Sequence, residues 1–143
     1  MRFSRTRDVK CPSFATSGSA CLDFFVPNDY TNVVMPQYSV LIPSGIKVAI
    51  SSGHVMIAFN KSGIATKTGL LVGACIIDCD YQGEIHLHVV NTSSHVAHIK
   101  SGEKLVQFMV VKYEHVDFEE VKNEELFLHA TNRGVGGFGS TGV

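Results

Sequence analysis

Hydrophobic and polar positions alternate with a period of two along much of the chain. In Glu84-Ile85-His86-Leu87-His88-Val89 the apolar residues interleave with polar ones, the pattern of a strand buried on one face. The same reading places strands at Tyr38–Ile42, Lys47–Ile50, His54–Phe59, Val96–Ile99, Lys104–Tyr113 and Val116–Val121. Turn-forming runs separate them: Pro43-Ser44-Gly45, Ser51-Ser52-Gly53, Asn91-Thr92-Ser93-Ser94 and Lys100-Ser101-Gly102. Many short strands at this spacing predict an all-β fold, an antiparallel sandwich or barrel. Only Ser62–Lys67 is suited to a helical turn or two, with Gly69 placed to stop it.

The periodicity ends near the C-terminus. Residues 131–143 read Thr-Asn-Arg-Gly-Val-Gly-Gly-Phe-Gly-Ser-Thr-Gly-Val, and five of the thirteen are glycine. Such a segment buries too little apolar surface to order itself unaided. A mobile chain end is the plain reading. Against it, Arg133, Phe138, Ser140 and Thr141 supply a guanidinium, a stacking face and hydroxyls among unobstructed backbone N–H groups. Those parts suit closure over a nucleoside polyphosphate.

Composition narrows the classes. A chain of 143 residues, 45% apolar and 17% charged, fits one domain with its own core and excludes a disordered protein. The net charge of −1 lacks the basic excess of a protein that coats nucleic acid, so no nucleic-acid partner is expected. No apolar stretch is long enough to span a bilayer, and the basic start MRFSRTRDVK leads into CPSFATSGSA rather than an apolar signal core. No membrane partner is expected, and the expected place of action is the cytoplasm. Cys11, Cys21, Cys75 and Cys79 lack paired CxxC spacing and read as reduced, packed thiols. His86 and His88 share a strand face and could in principle hold a metal. With no third ligand nearby in sequence, a polar strand face is the simpler reading.

Five segments, in order, resemble the signature motifs of the trimeric dUTPase family. They are Ser19-Ala20-Cys21-Leu22-Asp23-Phe24, Asn60-Lys61-Ser62-Gly63-Ile64-Ala65 and Ile77-Asp78-Cys79-Asp80-Tyr81-Gln82-Gly83-Glu84. Gly102-Glu103-Lys104-Leu105-Val106-Gln107 and the tail from Arg133 to Gly142 complete the set. The resemblance implies a jelly-roll-like antiparallel β-barrel over residues 1–127, a flexible glycine-rich arm over 128–143, and a homotrimer with sites at subunit boundaries. It implies hydrolysis of dUTP to dUMP and pyrophosphate, which limits uracil incorporation into DNA and supplies dUMP for dTMP synthesis.

The resemblance also implies roles. Asp78 would activate the water that attacks the α-phosphorus. Tyr81 would pack on the deoxyribose, and the hairpin from Gly73 to Ile77 would read the uracil edge with its backbone. Lys61, Ser62, Gly63 and Gln107 would meet the phosphates. Arg133, Phe138, Gly139, Ser140 and Thr141 would close the arm over the substrate. Mg²⁺ would sit on the triphosphate and keep several waters, with Asp23 supporting it through water.

Some positions depart from the family pattern. Lys61 stands where arginine is usual and forfeits the bidentate fork. Cys21 and Cys75 replace common glycines, and Lys104, Leu105 and Val106 soften the fourth motif. These departures suggest a divergent branch, viral or phage. Two other readings stay open from the residues: a dCTP deaminase of related fold, and a nucleotide-gated regulatory protein. The Asp78-x-Asp80-Tyr81 string and the Phe138-Gly-Ser-Thr arm favour phosphate chemistry over deamination. No inserted segment marks a regulatory partner. A lectin-like or coat-like barrel would leave the ordered motifs unexplained.

Overall fold

The computed structural model describes residues 1–137 and Ser140. Its strands are β1 (Arg2–Arg5), β2 (Ser13–Phe14), β3 (Leu22–Phe25), β4 (Asn32–Val34), β5 (Ser39–Pro43), β6 (Ile46–Ala49), β7 (His54–Asn60), β8 (Leu70–Val72), β9 (Ile76–Ile77), β10 (His86–Asn91), β11 (Ala97–Ile99) and β12 (Lys104–Lys112). A seven-residue helix, α1 (Ser62–Thr68), lies between β7 and β8. All pairings among the described residues are antiparallel. One sheet runs β2-β3-β12-β7-β9 and a second β5-β10-β8, with the pairs β1-β6 and β4-β11 beside them. The architecture is a jelly-roll-like all-β fold.

Alternation builds the core. Leu87 and Val89 of β10 are buried, as are Met56 and Ala58 of β7, while the residues between them are only partly covered. Phe24 of β3 and Phe108 of β12 meet with ring centroids 4.5 Å apart, joining two neighbouring strands of the larger sheet. In β12 the alternation breaks: Leu105 and Val106 are both buried, and the β3–β12 register shifts between Lys104 and Val106. The extra residue is a β-bulge, which re-aims the flanking side chains.

The helix matches its sequence expectation. Gly69 adopts φ 70° at the C-cap and donates to Ala65 O. No other residue is comfortable there, because a Cβ would stand 2.7 Å from that of Ser93. Buried Asn91 ties the following turn: Nδ2 donates to Val34 O and His95 O, and Oδ1 accepts from the Ser93 N–H and hydroxyl.

The expectation of a strand at Val116–Val121 does not hold. Beyond Lys112 the chain carries only a 3₁₀ turn, Asn123–Glu125, among the described residues. A β-prone segment needs a partner edge, and the single chain offers it none. This stretch leaves large apolar side chains in solvent, with Phe118 95%, Phe127 79% and Leu128 87% exposed. Among the described residues, no helix is long and apolar enough to cross a membrane.

Candidate active site

Two clusters hold the residues singled out in the sequence ahead of the C-terminal arm. The first is the turn after β9. Asp78 is exposed and its carbonyl accepts from the Tyr81 N–H at 3.2 Å, so the chain doubles back beside it. Tyr81 donates through Oη to Glu84 O at 2.9 Å, and the Glu84 carboxylate accepts from the Gly45 N–H at 2.6 Å. The phenol is thus held by a residue that is itself fastened to the β5–β6 turn. A cavity of about 230 Å³ is lined by Ala74, Ile76, Ile77, Asp78 and Tyr81, with Leu41, Glu84 and His86 opposite. A larger cavity of about 550 Å³ lies on another side of Tyr81, between Arg2, Lys47, Cys79 and Gln82. It contains neither Asp78 nor Ala74 to Ile77, so the smaller cavity is the one that brings the expected residues together.

The segment expected to form the hairpin, Gly73 to Ile77, links two sheets, since β8 pairs with β10 and β9 with β7, and its backbone is partly committed. The Gly73 N–H donates to His88 O at 3.0 Å, and Cys75 O accepts from the Ala58 N–H at 2.8 Å. The Gly73 N–H is therefore already taken. Cys75 turns its side chain against the apolar core.

The second cluster surrounds Asp23 on β3, a carboxylate with only 3% of its side chain exposed. Lys61 Nζ donates to its Oδ1, and Lys104 Nζ lies 2.8 Å from its Oδ2, at ion-pair distance though outside hydrogen-bond alignment. Burial alone would raise the Asp23 pKa; the contacts and charges of Lys104 and Lys61 outweigh it and hold the group below its ordinary value. Beside it Gln107 donates to Asn60 O at 2.8 Å, and Asn60 Oδ1 accepts from the Val72 N–H at 2.6 Å. Lys61, Ser62 and Gly63 follow directly, and no side chain caps the start of α1. Its first N–H groups stay open to an anionic oxygen.

Several assigned residues behave differently from one another. Gln107 spends a side-chain N–H on the backbone carbonyl before Lys61, which makes it a brace. Arg133 Nε donates to Gly136 O within the arm at 2.9 Å, and Ser140 N donates to Gly137 O. Phe138, Gly139 and Thr141 lie outside the described residues. Lys104, Asn60 and Glu84 were not among the expected site residues. Each lies inside a motif segment, but sequence alone assigned it no role, because a bulge and cross-strand pairing bring it into place.

No group of three or more His, Cys, Asp or Glu side chains among the described residues could hold a metal ion. Of the two histidines that share a face of β10, Nδ1 of His86 contacts Glu84 O and Nδ1 of His88 faces the Ala74 N–H.

The antiparallel body is a jelly-roll-like fold that carries Asp78 and Tyr81 on one cavity and sets Lys61 and Lys104 around Asp23 in a second cluster. A family model described as dUTPase matches residues 7–142. The deoxyuridine 5'-triphosphate nucleotidohydrolase of Dictyoglomus turgidum is 34% identical over 144 residues, covering 96% of this chain and 93% of its own. That of Finegoldia magna is 37% identical over 135 residues, covering 92% and 90%. The chain belongs to the dUTPase family. Among solved structures, Staphylococcus bacteriophage 80alpha dUTPase with dUPNHPP has a TM-score of 0.87 at 23% identity, with 99% of this chain and 98% of that one covered. A mutant dUTPase from phage phi11 of S. aureus, described with a structural Mg(II) ion, has a TM-score of 0.77 at 20% identity and covers 87% and 98%. At these identities the two structures speak for the fold.

Proposed function

We propose that this chain hydrolyses dUTP to dUMP and pyrophosphate, with Asp78 as general base. The observation that carries this reading is the one cavity shared by Asp78, Tyr81 and the hairpin residues Ala74, Ile76 and Ile77 in a chain of this family. Asp78 takes a proton from water as the water oxygen bonds to the α-phosphorus. The bond from that phosphorus to the β-phosphate oxygen breaks, and its electron pair leaves with pyrophosphate. Tyr81 packs on the deoxyribose where a 2′-hydroxyl would collide, and the free backbone groups between Gly73 and Ile77 read uracil.

Register supports a site shared between copies. Ile77 pairs with Met56, so Asp78 continues to the level of Val55, while Lys61 follows the far end of β7. Six residues of strand separate those levels, about 20 Å at roughly 3.3 Å per residue. One triphosphate cannot use both from a single chain, and a cavity of about 230 Å³ is small for a whole ligand site. In a homotrimer, the Lys61, Ser62 and Gly63 cluster of one copy meets the phosphates beside another copy's Asp78. The exposed Phe118, Phe127 and Leu128 are covered by association. The arm then closes over a neighbouring site, with Arg133 on the terminal phosphates, Phe138 on the base, and Gly139, Ser140 and Thr141 adding donors.

Mg²⁺ fits this chain as a companion of the substrate. Both oxygens of Asp23 face ammonium groups, so Asp23 would support the ion through water rather than bind it directly. When bound, Mg²⁺ offsets charge on the triphosphate. Such an activity keeps uracil out of DNA and yields dUMP for dTMP synthesis in the cytoplasm. The test is product analysis with Mg²⁺ and dUTP, dCTP, dTTP or UTP in parallel. Pyrophosphate and dUMP from dUTP alone are expected; ammonia from dCTP, or no product from any of them, overturns the proposal.

A further inference from the structure

His88 lies outside every signature motif, yet it makes the closest contacts with the start of the base hairpin. It sits on β10 with its side chain on the same face as His86, opposite the buried Leu87 and Val89. The β5–β10 register places it across from Leu41, which lines the cavity of Asp78 and Tyr81. Its carbonyl accepts from the Gly73 N–H at 3.0 Å, and its Nδ1 stands 2.7 Å from the Ala74 N. One residue thus ties two successive amides at the point where β8 leaves the sheet and becomes the hairpin.

The contact is built on both sides. The imidazole lies in the space that a side chain at residue 73 would need: a Cβ there would fall 2.3 Å from Nδ1 and 2.4 Å from Cε1. Histidine in this position at 88 therefore requires glycine at 73. Since a backbone N–H can only donate, Nδ1 must carry a lone pair and the ring proton belongs on Nε2. Along the hairpin, Cys75 O is held from the other side by the Ala58 N–H. These ties fix the path of the backbone from Gly73 to Cys75, and Ala74, the residue His88 holds, lines the cavity.

We propose that His88 is a positioning residue for base recognition. Its Nδ1 sets the Ala74 amide and thereby the angle at which the remaining backbone groups up to Ile77 face the pyrimidine. The inference rests on the reading of this hairpin as the base site. It assigns His88 no contact with the reacting phosphorus, so its effect falls on substrate affinity and base choice and leaves the hydrolytic step alone.

Two amide substitutions separate positioning from mere packing. In His88→Asn the side-chain oxygen can stand where Nδ1 stands; in His88→Gln the oxygen lies one carbon further out, nearer the place of Nε2. H88Q is expected to raise KM for dUTP roughly tenfold with kcat within about twofold, and to narrow the preference for dUTP over dCTP. H88N is expected to restore KM to within about threefold of the parent chain. A KM unchanged in H88Q, or kcat falling as much as kcat/KM in both variants, overturns the proposal. So does equal damage in H88N and H88Q, which would mean that ring packing alone matters. His88→Val, which suits a strand and lacks any acceptor, should follow H88Q. Amide NMR of the parent chain titrated with dUMP tests the underlying reading separately. Shifts at Ala74 to Ile77 with normal KM in H88Q dismiss only the role of His88. No shift there removes the hairpin as base site, and the proposal with it.

Discussion

The Lys104 ammonium lies 2.8 Å from the buried carboxylate of Asp23, brought there by the bulge that shifts β12 against β3. Lys61 approaches the other carboxylate oxygen from the end of β7. Three strands of one sheet are therefore joined through a single acidic side chain next to the proposed phosphate contacts.

Replacing Asp23 with asparagine should expose that dependence. The native pKa of Asp23 is lowered, so its contribution to stability is complete above the ordinary carboxylate value and fades as pH falls through the lowered one. Asp23→Asn should cost about 1–3 kcal/mol near neutral pH, since a charged hydrogen-bonding partner is lost while a neutral acceptor remains. The gap between the two proteins should stay constant above about pH 5 and shrink below about pH 4. Thermal unfolding across that range checks it, and a gap that widens in acid would contradict the assignment.

Asp78→Asn should keep the cavity and remove the base. Turnover of dUTP is expected to fall roughly a thousandfold while affinity for a non-hydrolysable dUTP analogue changes little. Rapid-mix kinetics and calorimetry measure the two separately. Turnover within about tenfold of the parent, only about 1.4 kcal/mol of barrier, would place the base elsewhere.

Tyr81→Ala should admit ribose. The ring is anchored by its hydroxyl at Glu84 O, so Tyr81→Phe tests the anchor and Tyr81→Ala the ring. The alanine variant should gain roughly tenfold in UTP use relative to dUTP, and the phenylalanine variant much less. Competition assays with both nucleotides decide it, and unchanged sugar preference in the alanine variant would discard the role.

Ending the chain at Ala130 removes the glycine-rich segment that carries Arg133 and Ser140. Light scattering should still report three subunits, whereas kcat/KM for dUTP should drop by roughly a hundredfold or more. A truncated chain that no longer assembles would make the segment structural.

Much of this could be read from the residues in order. Alternation located β5, β7, β10 and β12 to within a residue or two, and Gly69 ended α1 as expected. β3 escaped because Phe24, Phe25 and Val26 are all buried, so no alternation marks it. β8 and β9 escaped for a related reason: Leu70 to Ile77 is nearly all apolar or small, and its turn lacks strong turn residues beyond Gly73. The excess strand at Val116–Val121 reads correctly as β-prone, but propensity cannot supply a neighbouring edge.

By itself the sequence determined the local events: the period of the strands, the turns, the short helix, and the motif residues that identify the family. Those depend on neighbours a few positions away. Tertiary structure alone decided that Asp78 and Lys61, seventeen positions apart in the chain, stand at levels of β7 about 20 Å apart. It also decided that Lys104 meets Asp23 across a bulge, and that His88 holds Ala74. Such relations are set by long-range register. One residue of slip would turn each of these side chains to the other face, and only packing of the whole core fixes which register wins.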